Sequence, residues 1–319
     1  MELPAPLRQA VDALLEGTPL AEIRRAGDLL SRRYRSETRD GRLHVGDALA
    51  AKAYLATRLP ATYAAMRHCV SDIAGRRESF APSSLLDVGA GPGTALFAAL
   101  DEWPELTRAA MVEASGAIRQ AGEALAAIAP LAISWHAIHV EDGLPGLEPA
   151  DLVTLGYVLD ELPPAARDRL VDRLWALTAD MLVIVEPGTP AGWQRILEAR
   201  RRLIGHGAHV IAPCPHEADC PIQAPDWCHF SRRVARSRLH RMAKGGDVPW
   251  EDEKFSYVAV SRHPPADRPA RVLAPPNTAS GMVRLKLCRM DGALEERLVT
   301  RREGPAFKAA RKADWGDAL

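Results

Sequence analysis

Three cysteines crowd into the fifteen residues Cys214-Pro-His-Glu-Ala-Asp-Cys220-Pro-Ile-Gln-Ala-Pro-Asp-Trp-Cys228, and His229 follows at once. Pro213, Pro215, Pro221 and Pro225 keep this stretch out of helix, so its thiols are free to turn towards one another. Cys288, at the end of a strand-like run, offers a fourth thiol. Four thiolates suit either zinc or an iron–sulfur cluster. Structural zinc favours cysteine pairs two to four residues apart, and the gaps here are five and seven. The irregular spacing beside prolines leans towards iron–sulfur. His216 and His229 keep a mixed zinc site open, as does plain burial of unliganded thiols. Cys69 stands alone in a helical region and is expected to pack.

A second chemistry-bearing stretch is Leu85-Leu86-Asp87-Val88-Gly89-Ala90-Gly91-Pro92-Gly93-Thr94. A short apolar run ends in an acid, a turn with Gly89, Gly91 and Gly93 follows, and a helix-forming run opens at Thr94. This is the strand–loop–helix of a cofactor-binding βαβ unit, in which glycines let the backbone approach a ligand. Glu113 ends the next strand candidate and can accept both hydroxyls of a ribose. Asp87 would face a pyrophosphate unfavourably, and a cationic ligand without phosphate suits it better. S-adenosylmethionine is such a ligand. The acidic pair Glu141-Asp142, after the third strand, can receive an adenine amine. Past the fourth strand, Gly156-Tyr157 stands where methyltransferase-like folds put the groups nearest the transferred methyl. No Asn or Cys lies beside it, and no general base is evident. Tyr157 can stack a base or simply pack, and Asp160 and Glu161 read as a helix N-terminal pair. Val185-Glu186-Pro187-Gly188-Thr189-Pro190 forms a restricted loop on the same edge.

These residues need a scaffold. Residues 4–35 read as two helices, the second capped by Thr18 with Pro19 at its first position. A third helical stretch covers 46–73 and is broken by Pro60. From Ser84 strands alternate with helices: 85–88, 109–113, 133–140, 152–156 and 181–185, with helices at 116–128 and 165–179. That pattern predicts a doubly wound parallel α/β sheet. Strands at 208–211 and 255–260 enclose the cysteine segment. Beyond Pro264 a proline-marked linker leads to strands at 281–287 and 296–300. The expected organisation is a helical region over 1–80 and an α/β domain over 81–263, with the cysteine-rich insertion at 213–241. A small β module over 264–319 then brings in the fourth cysteine.

The 319 residues carry no net charge, yet the charge is unevenly spread. Residues 85–186 hold five Lys/Arg against sixteen Asp/Glu, whereas residues 187–319 hold twenty-three against fifteen. The basic run 195–244, with ten Lys/Arg and four Asp/Glu, is read as an RNA-contacting surface, as is the run from Arg301 to Lys312. The arginines of the second helix are read as a solvated face. No apolar run approaches a membrane span and Met1-Glu2-Leu3-Pro4 does not begin a signal peptide, so the expectation is a soluble, cytoplasmic protein, monomeric when free.

The LLDVGAGPGT loop, the GYVLDEL and VEPGTPAGW stretches, the CPHEADCP…DWCHFSRR segment, DEKFSYVAVSR and the late Cys288 together resemble one known family. These are the methyltransferase-like assembly factors of the mitochondrial small ribosomal subunit and their bacterial relatives. The resemblance runs from about Leu85 onward. It implies a class I (Rossmann-like) S-adenosylmethionine-dependent methyltransferase fold and a 4Fe–4S cluster on Cys214, Cys220, Cys228 and Cys288. It also implies contact with small-subunit rRNA during ribosome assembly. The cofactor residues would be Asp87, Gly89, Gly91, Gly93 and Glu113, to which the reading of the strand ends adds Asp142 and Gly156. Two rival expectations stand beside this one: an active rRNA methyltransferase with the cluster as a structural staple, and a small-molecule methyltransferase with structural zinc.

Overall fold

The computed structural model describes residues 1–38, 40, 43–244 and 248–319. Four helices come first: α1 (Ala5–Leu15), α2 (Leu20–Arg35), α3 (Ala48–Thr57) and α4 (Leu59–Arg76). Alternation follows with β1 (Ser84–Val88), α5 (Thr94–Glu102), β2 (Arg108–Val112), α6 (Gly116–Ala126), β3 (Ala132–His136), β4 (Ala150–Gly156), α7 (Pro164–Ala176), β5 (Thr178–Pro187) and α8 (Pro190–Gly205). Next come β6 (His209–Ala212), β7 (Phe230–Ala235), α9 (Arg238–Lys244) and β8 (Trp250–Ser261). The chain ends in β9 (Arg271–Val272), β10 (Asn277–Ala279), β11 (Met282–Cys288), β12 (Leu294–Thr300) and α10 (Pro305–Lys312).

The main sheet runs β3-β2-β1-β4-β5-β8-β6, with β7 added to β8. Strands β1 to β5 are mutually parallel, and β8 lies antiparallel to both β5 and β6. This is the Rossmann-like methyltransferase order. Its central strand β1 is buried along its whole length, as a parallel strand covered on both faces must be. Side-chain alternation divides the core. Leu85, Leu152, Val183, Val185 and Tyr257 point to one face, packed by α1, α4 and α5. Leu86, Val153, Leu182, Ile184 and Val258 point to the other, packed by α7 and α8.

Several boundaries differ from the sequence expectation for identifiable reasons. Pro60 does not break a helix; it sits in the first turn of α4, where its missing N–H is no loss. Helix α2 has no side-chain cap, because it begins at Leu20 with Pro19 at the N-cap, and the Thr18 hydroxyl accepts from Lys52 Nζ at 2.7 Å. Strand β3 stops at His136, and Val140–Asp142 is a 3-10 turn. Asp160 and Glu161 also lie in a 3-10 turn that ends before α7 begins, so they do not cap that helix.

Strand β7 falls where only a basic surface run was foreseen. It pairs with the first half of β8, from Phe230↔Phe255 to Ala235↔Trp250. The last strands form a four-stranded sheet with its own small core of Val272, Val283, Leu285, Leu287, Val299, Phe307 and Ala310. Among the described residues no helix is long and apolar enough to cross a membrane.

Candidate cofactor pocket and cysteine site

A cavity of about 510 Å³ opens at the C-terminal ends of the parallel strands, where open α/β sheets hold their ligands. Gly89, Gly91, Glu113 and Gly156 line it. The loop takes its shape from three glycines with positive φ: 68° at Gly89, 54° at Gly91 and 87° at Gly93. A Cβ on Gly89 would come within 2.3 Å of Val158 Cγ2, so the backbone there admits no other residue without movement. Glu113 fastens the loop. Its Oε2 accepts from the Gly91 amide at 2.9 Å and its Oε1 from the Ser115 amide at 2.8 Å. A carboxylate has about four acceptor sites, so two remain for ligand hydroxyls. Burial nevertheless holds its pKa above the usual carboxylate value, against the two amide bonds that lower it.

Asp87, Gly93 and Asp142 are not among the residues lining this cavity. Gly93 precedes α5 and its amide donates to the Ala90 carbonyl at 2.8 Å, a turn-forming role. Asp142 faces solvent, because the 3-10 turn directs its neighbour Glu141 towards the cavity instead. Asp87 lies beneath the loop, 3% exposed, opposite Thr154 of β4. The Thr154 hydroxyl donates to its Oδ1 at 2.7 Å, and its Oδ2 has no partner. Burial pushes its pKa up to about 7, with Glu113 adding to the rise.

The roof of the cavity comes from residues that the sequence did not single out. Tyr34, His44, Tyr54 and Arg58 reach over from the N-terminal helices and the segment between α2 and α3. Arg58 pairs with Glu253 at 3.7 Å, and the Tyr157 hydroxyl donates to the same carboxylate at 3.1 Å. Tyr157 has a φ of 61°, a left-handed backbone that is uncommon for an aromatic residue. The only available hint was compositional: three of five tyrosines fall in the first 63 residues.

Below the mouth, Glu186 is fully buried. It accepts from Arg195 at 2.7 Å and from the Leu159 amide at 3.0 Å. Glu161 faces His44 at 3.7 Å; burial, with Asp160, Glu113 and Glu186 nearby, pushes it up to about 8. A carboxyl with such a pKa can keep or release a proton near neutrality.

The second site is built from two sheets. The β6–β7 connection carries Cys214, Cys220 and Cys228, while Cys288 ends β11 directly opposite Arg271 of β9. All four cysteines line one cavity together with His216, Trp193, Arg200 and Arg271. His216 Nε2 stands 3.4 Å from Cys288 Sγ. His229 does not line the cavity; its ring stacks on Trp227 at 4.9 Å and meets Trp315 edge-on at 4.8 Å. Burial, then repulsion from Cys214, Cys220 and Cys288, holds the Cys228 thiol well above its ordinary value. Burial and two of the same neighbours push Cys288 up to about 12. Among the described residues no three His, Cys, Asp or Glu side chains stand close enough to hold a single metal ion as they are. Cys69 is fully buried in the core, as expected.

Most of the basic run 195–244 is engaged internally. Arg195 pairs with Glu186 and Glu37, Arg202 with Asp172 and Asp168, Arg233 with Asp252, and both Arg236 and Lys244 with Glu251. Arg232 donates to His68 Nδ1 at 3.0 Å. The C-terminal run is different. Arg301, Arg302, Lys308, Arg311 and Lys312 are exposed, and none of them joins an ion pair among the described residues.

Comparison with known proteins agrees with this architecture. The family described as mitochondrial small ribosomal subunit Rsm22 matches residues 48–319. The human mitochondrial ribosome assembly protein METTL17 is 31% identical over 292 residues, covering 83% of this chain and 61% of the relative. The mitochondrial Rsm22-cox11 tandem protein 2 of Schizosaccharomyces pombe is 24% identical over 327 residues, covering 83% and 42%. The chain therefore spans about three fifths and two fifths of these relatives' lengths. An O-methyltransferase family protein from Burkholderia thailandensis overlays with a TM-score of 0.47 at 14% identity, covering 78% of this chain and 73% of that one. At that level the sheet order, not the overlay, carries the fold. With the match extending through both the glycine loop and all four pocket-lining cysteines, this chain belongs to the mitochondrial small ribosomal subunit Rsm22 family.

Proposed function

We propose that this protein assists assembly of the small ribosomal subunit by binding its rRNA, and that it carries S-adenosylmethionine and a 4Fe–4S cluster. The observation that carries the reading is the convergence of four thiols, far apart in sequence, on one cavity in a member of this family. The residues present suit such a group. The four converging cysteine donors are sulfur, the cavity wall is otherwise mostly apolar, and the buried guanidinium of Arg200 can offset the charge of thiolates. Cys214, Cys220, Cys228 and Cys288 would hold the cluster, whose contribution is to tie the β6–β7 connection to β11.

S-adenosylmethionine suits the upper cavity for similar reasons. Glu113 has acceptor capacity for ribose hydroxyls, Glu141 can receive an amine, and the wall is rich in carboxylates that favour a cation. For RNA, the unpaired bases from Arg301 to Lys312 replace the run 195–244 as the supported contact surface, since phosphate contacts need cations that internal acids have not consumed. A second reading, methyl transfer to rRNA, is favoured by Glu161, which can exchange a proton near neutral pH inside the cavity.

Anaerobic purification tests the cluster: a brown protein with four irons and four sulfides per chain is expected, and a colourless zinc protein refutes it. Incubation of pre-subunit particles with the protein and labelled S-adenosylmethionine divides the two functional readings. Binding without a methyl mark supports the assembly role alone. A mark lost in a Glu161→Gln protein supports transfer.

A further inference from the structure

The cysteine cavity contains buried donors with nothing to donate to. Arg200, on α8, is 3% exposed. Its Nη2 donates to the carbonyls of His216 at 2.7 Å and Ala218 at 2.9 Å, but its Nε has no partner. Among the described residues no carboxylate pairs with it. Trp193 lies two turns earlier on the same helix face, and its buried Nε1–H is also unpaired in the same cavity. The other buried guanidinium, Arg271, is already neutralised. It pairs with Asp72 at 2.6 Å and donates to the carbonyls of Pro213 and Gly316. A buried cation without a counter-ion is strongly unfavourable, and an N–H without an acceptor adds to the cost.

These donors share their cavity with four sulfurs, and Arg200 lies near enough to Cys220 and Cys288 to act on their charge. A protonated thiol is a weak acceptor without charge, whereas a metal-bound thiolate is an anion that accepts N–H bonds. The charge balance is the same for either candidate centre. Four thiolates around Zn²⁺ sum to −2, and four thiolates on a 4Fe–4S core of charge +2 also sum to −2. Asp72 has taken up Arg271, so Arg200 is the cation left to meet that charge.

We propose that Arg200 is the built-in counter-charge of a dianionic, cysteine-ligated metal centre, with Trp193 as a neutral N–H donor beside it. The proposal rests on the reading of the four cysteines as ligands, and it identifies Arg200 as a positioning and tuning residue. It accounts for why α8 places an arginine inward, at a site where its charge has no protein partner.

The test uses the full chain as wild type, Arg200→Met, Arg200→Lys and Trp193→Phe, each loaded without oxygen with ferrous iron plus sulfide, or with zinc. Met keeps the reach of the stem and removes the charge. In Arg200→Met, release of metal to a chelator is expected to quicken about ten-fold or more, with Arg200→Lys near wild type. The midpoint potential of the iron-loaded Arg200→Met protein is expected to fall, because losing a nearby cation disfavours the added electron. Trp193→Phe is expected to lower the potential without lowering the Tm of the metal-free chain, which keeps the proposal testable if Arg200→Met does not fold.

The metal-free chain separates this role from a structural one. Its Tm in Arg200→Met is expected to equal or exceed wild type, since an uncompensated charge has gone. A residue that merely ties down the His216 and Ala218 carbonyls would lower it. That outcome, or unchanged release and potential, overturns the proposal. If wild type binds zinc tightly but takes up no iron and sulfide, the cluster reading fails while the zinc-release comparison still decides the role of Arg200. If it holds neither, both fail.

Discussion

Replacing Asp87 with Asn removes a carboxyl that is buried under the glycine loop and bonded through only one of its oxygens. The Asn side-chain oxygen can still accept from Thr154, so the perturbation is largely one of charge. Burial raises the folded pKa of Asp87 to about 7 from an ordinary value near 3.8. The folded chain thus holds this proton more tightly than the unfolded chain. The stability contributed by the group is full below about pH 4, and it is lost as pH rises towards 7. Integrating the two titrations gives a loss of roughly 2–3 kcal/mol between pH 5 and pH 8 for this group alone. Asn does not titrate. Ionisable groups other than Glu113, whose charge acts on Asp87, behave alike in both proteins, so the difference between them reports Asp87 and its coupling to Glu113. Urea unfolding of wild type and Asp87→Asn at pH 5, 6, 7 and 8 measures it. The variant should gain on the wild type steadily with pH, by about that amount at the upper end. A gap that stays constant within about 0.5 kcal/mol would show that the carboxyl titrates normally and that the burial argument is wrong.

Three further outcomes follow from other parts of the molecule. Arg195→Leu strands the fully buried Glu186 and should cost about 3–5 kcal/mol in urea unfolding, with much of that loss recovered when Glu186→Leu is added. Gly89→Ala and Gly91→Ala both force a left-handed backbone on alanine, at roughly 1–2 kcal/mol each. Only at Gly89 does the new methyl meet Val158, so calorimetric titration should show the larger loss of S-adenosylmethionine affinity there. Changing Arg301, Arg302, Lys308, Arg311 and Lys312 to Gln should reduce the slope of log binding constant against log salt for small-subunit rRNA by about 3 or more. Arg233→Gln, which removes a partner of Asp252, should leave that slope unchanged.

The parts of the fold that could be read in the sequence are those where local pattern and burial agree. Leu85–Val88 and Met181–Val185 are apolar runs because both faces of a parallel strand are covered, and the glycine loop announces itself because positive φ needs glycine. Strand β7 stayed hidden because its pairing partner is charged. Arg233 lies opposite Asp252 across the ladder, so a run that looks like a phosphate surface is neutralised by a strand twenty residues later. The roof over the cavity at the strand ends was invisible for a related reason. Tyr34, Tyr54 and Arg58 look like ordinary helix residues, and only the long-range approach to Tyr157 and Glu253 gives them their place. Asp142 and Glu141 could not be told apart, because a 3-10 turn has a rotation that neither strand nor helix periodicity predicts. The convergence of Cys288 with the earlier cysteines joins two separate sheets, and spacing alone left its ligand set open.

Strand β8 has a bearing on the order of events at the ribosome that makes this chain. Among the described residues, strands β6 and β7, at either end of the cysteine segment, pair with no strand except β8. Until residues 250–261 have left the exit tunnel, the ladder that joins the two ends of that segment cannot form, and Cys288 is still to come. Cys214, Cys220 and Cys228 therefore emerge before the strand that joins the two ends of their segment, and Cys288 is made last. Any ligand that needs all four thiols must then bind after synthesis of the domain, and before that the nascent thiols are open to oxidants and adventitious ions.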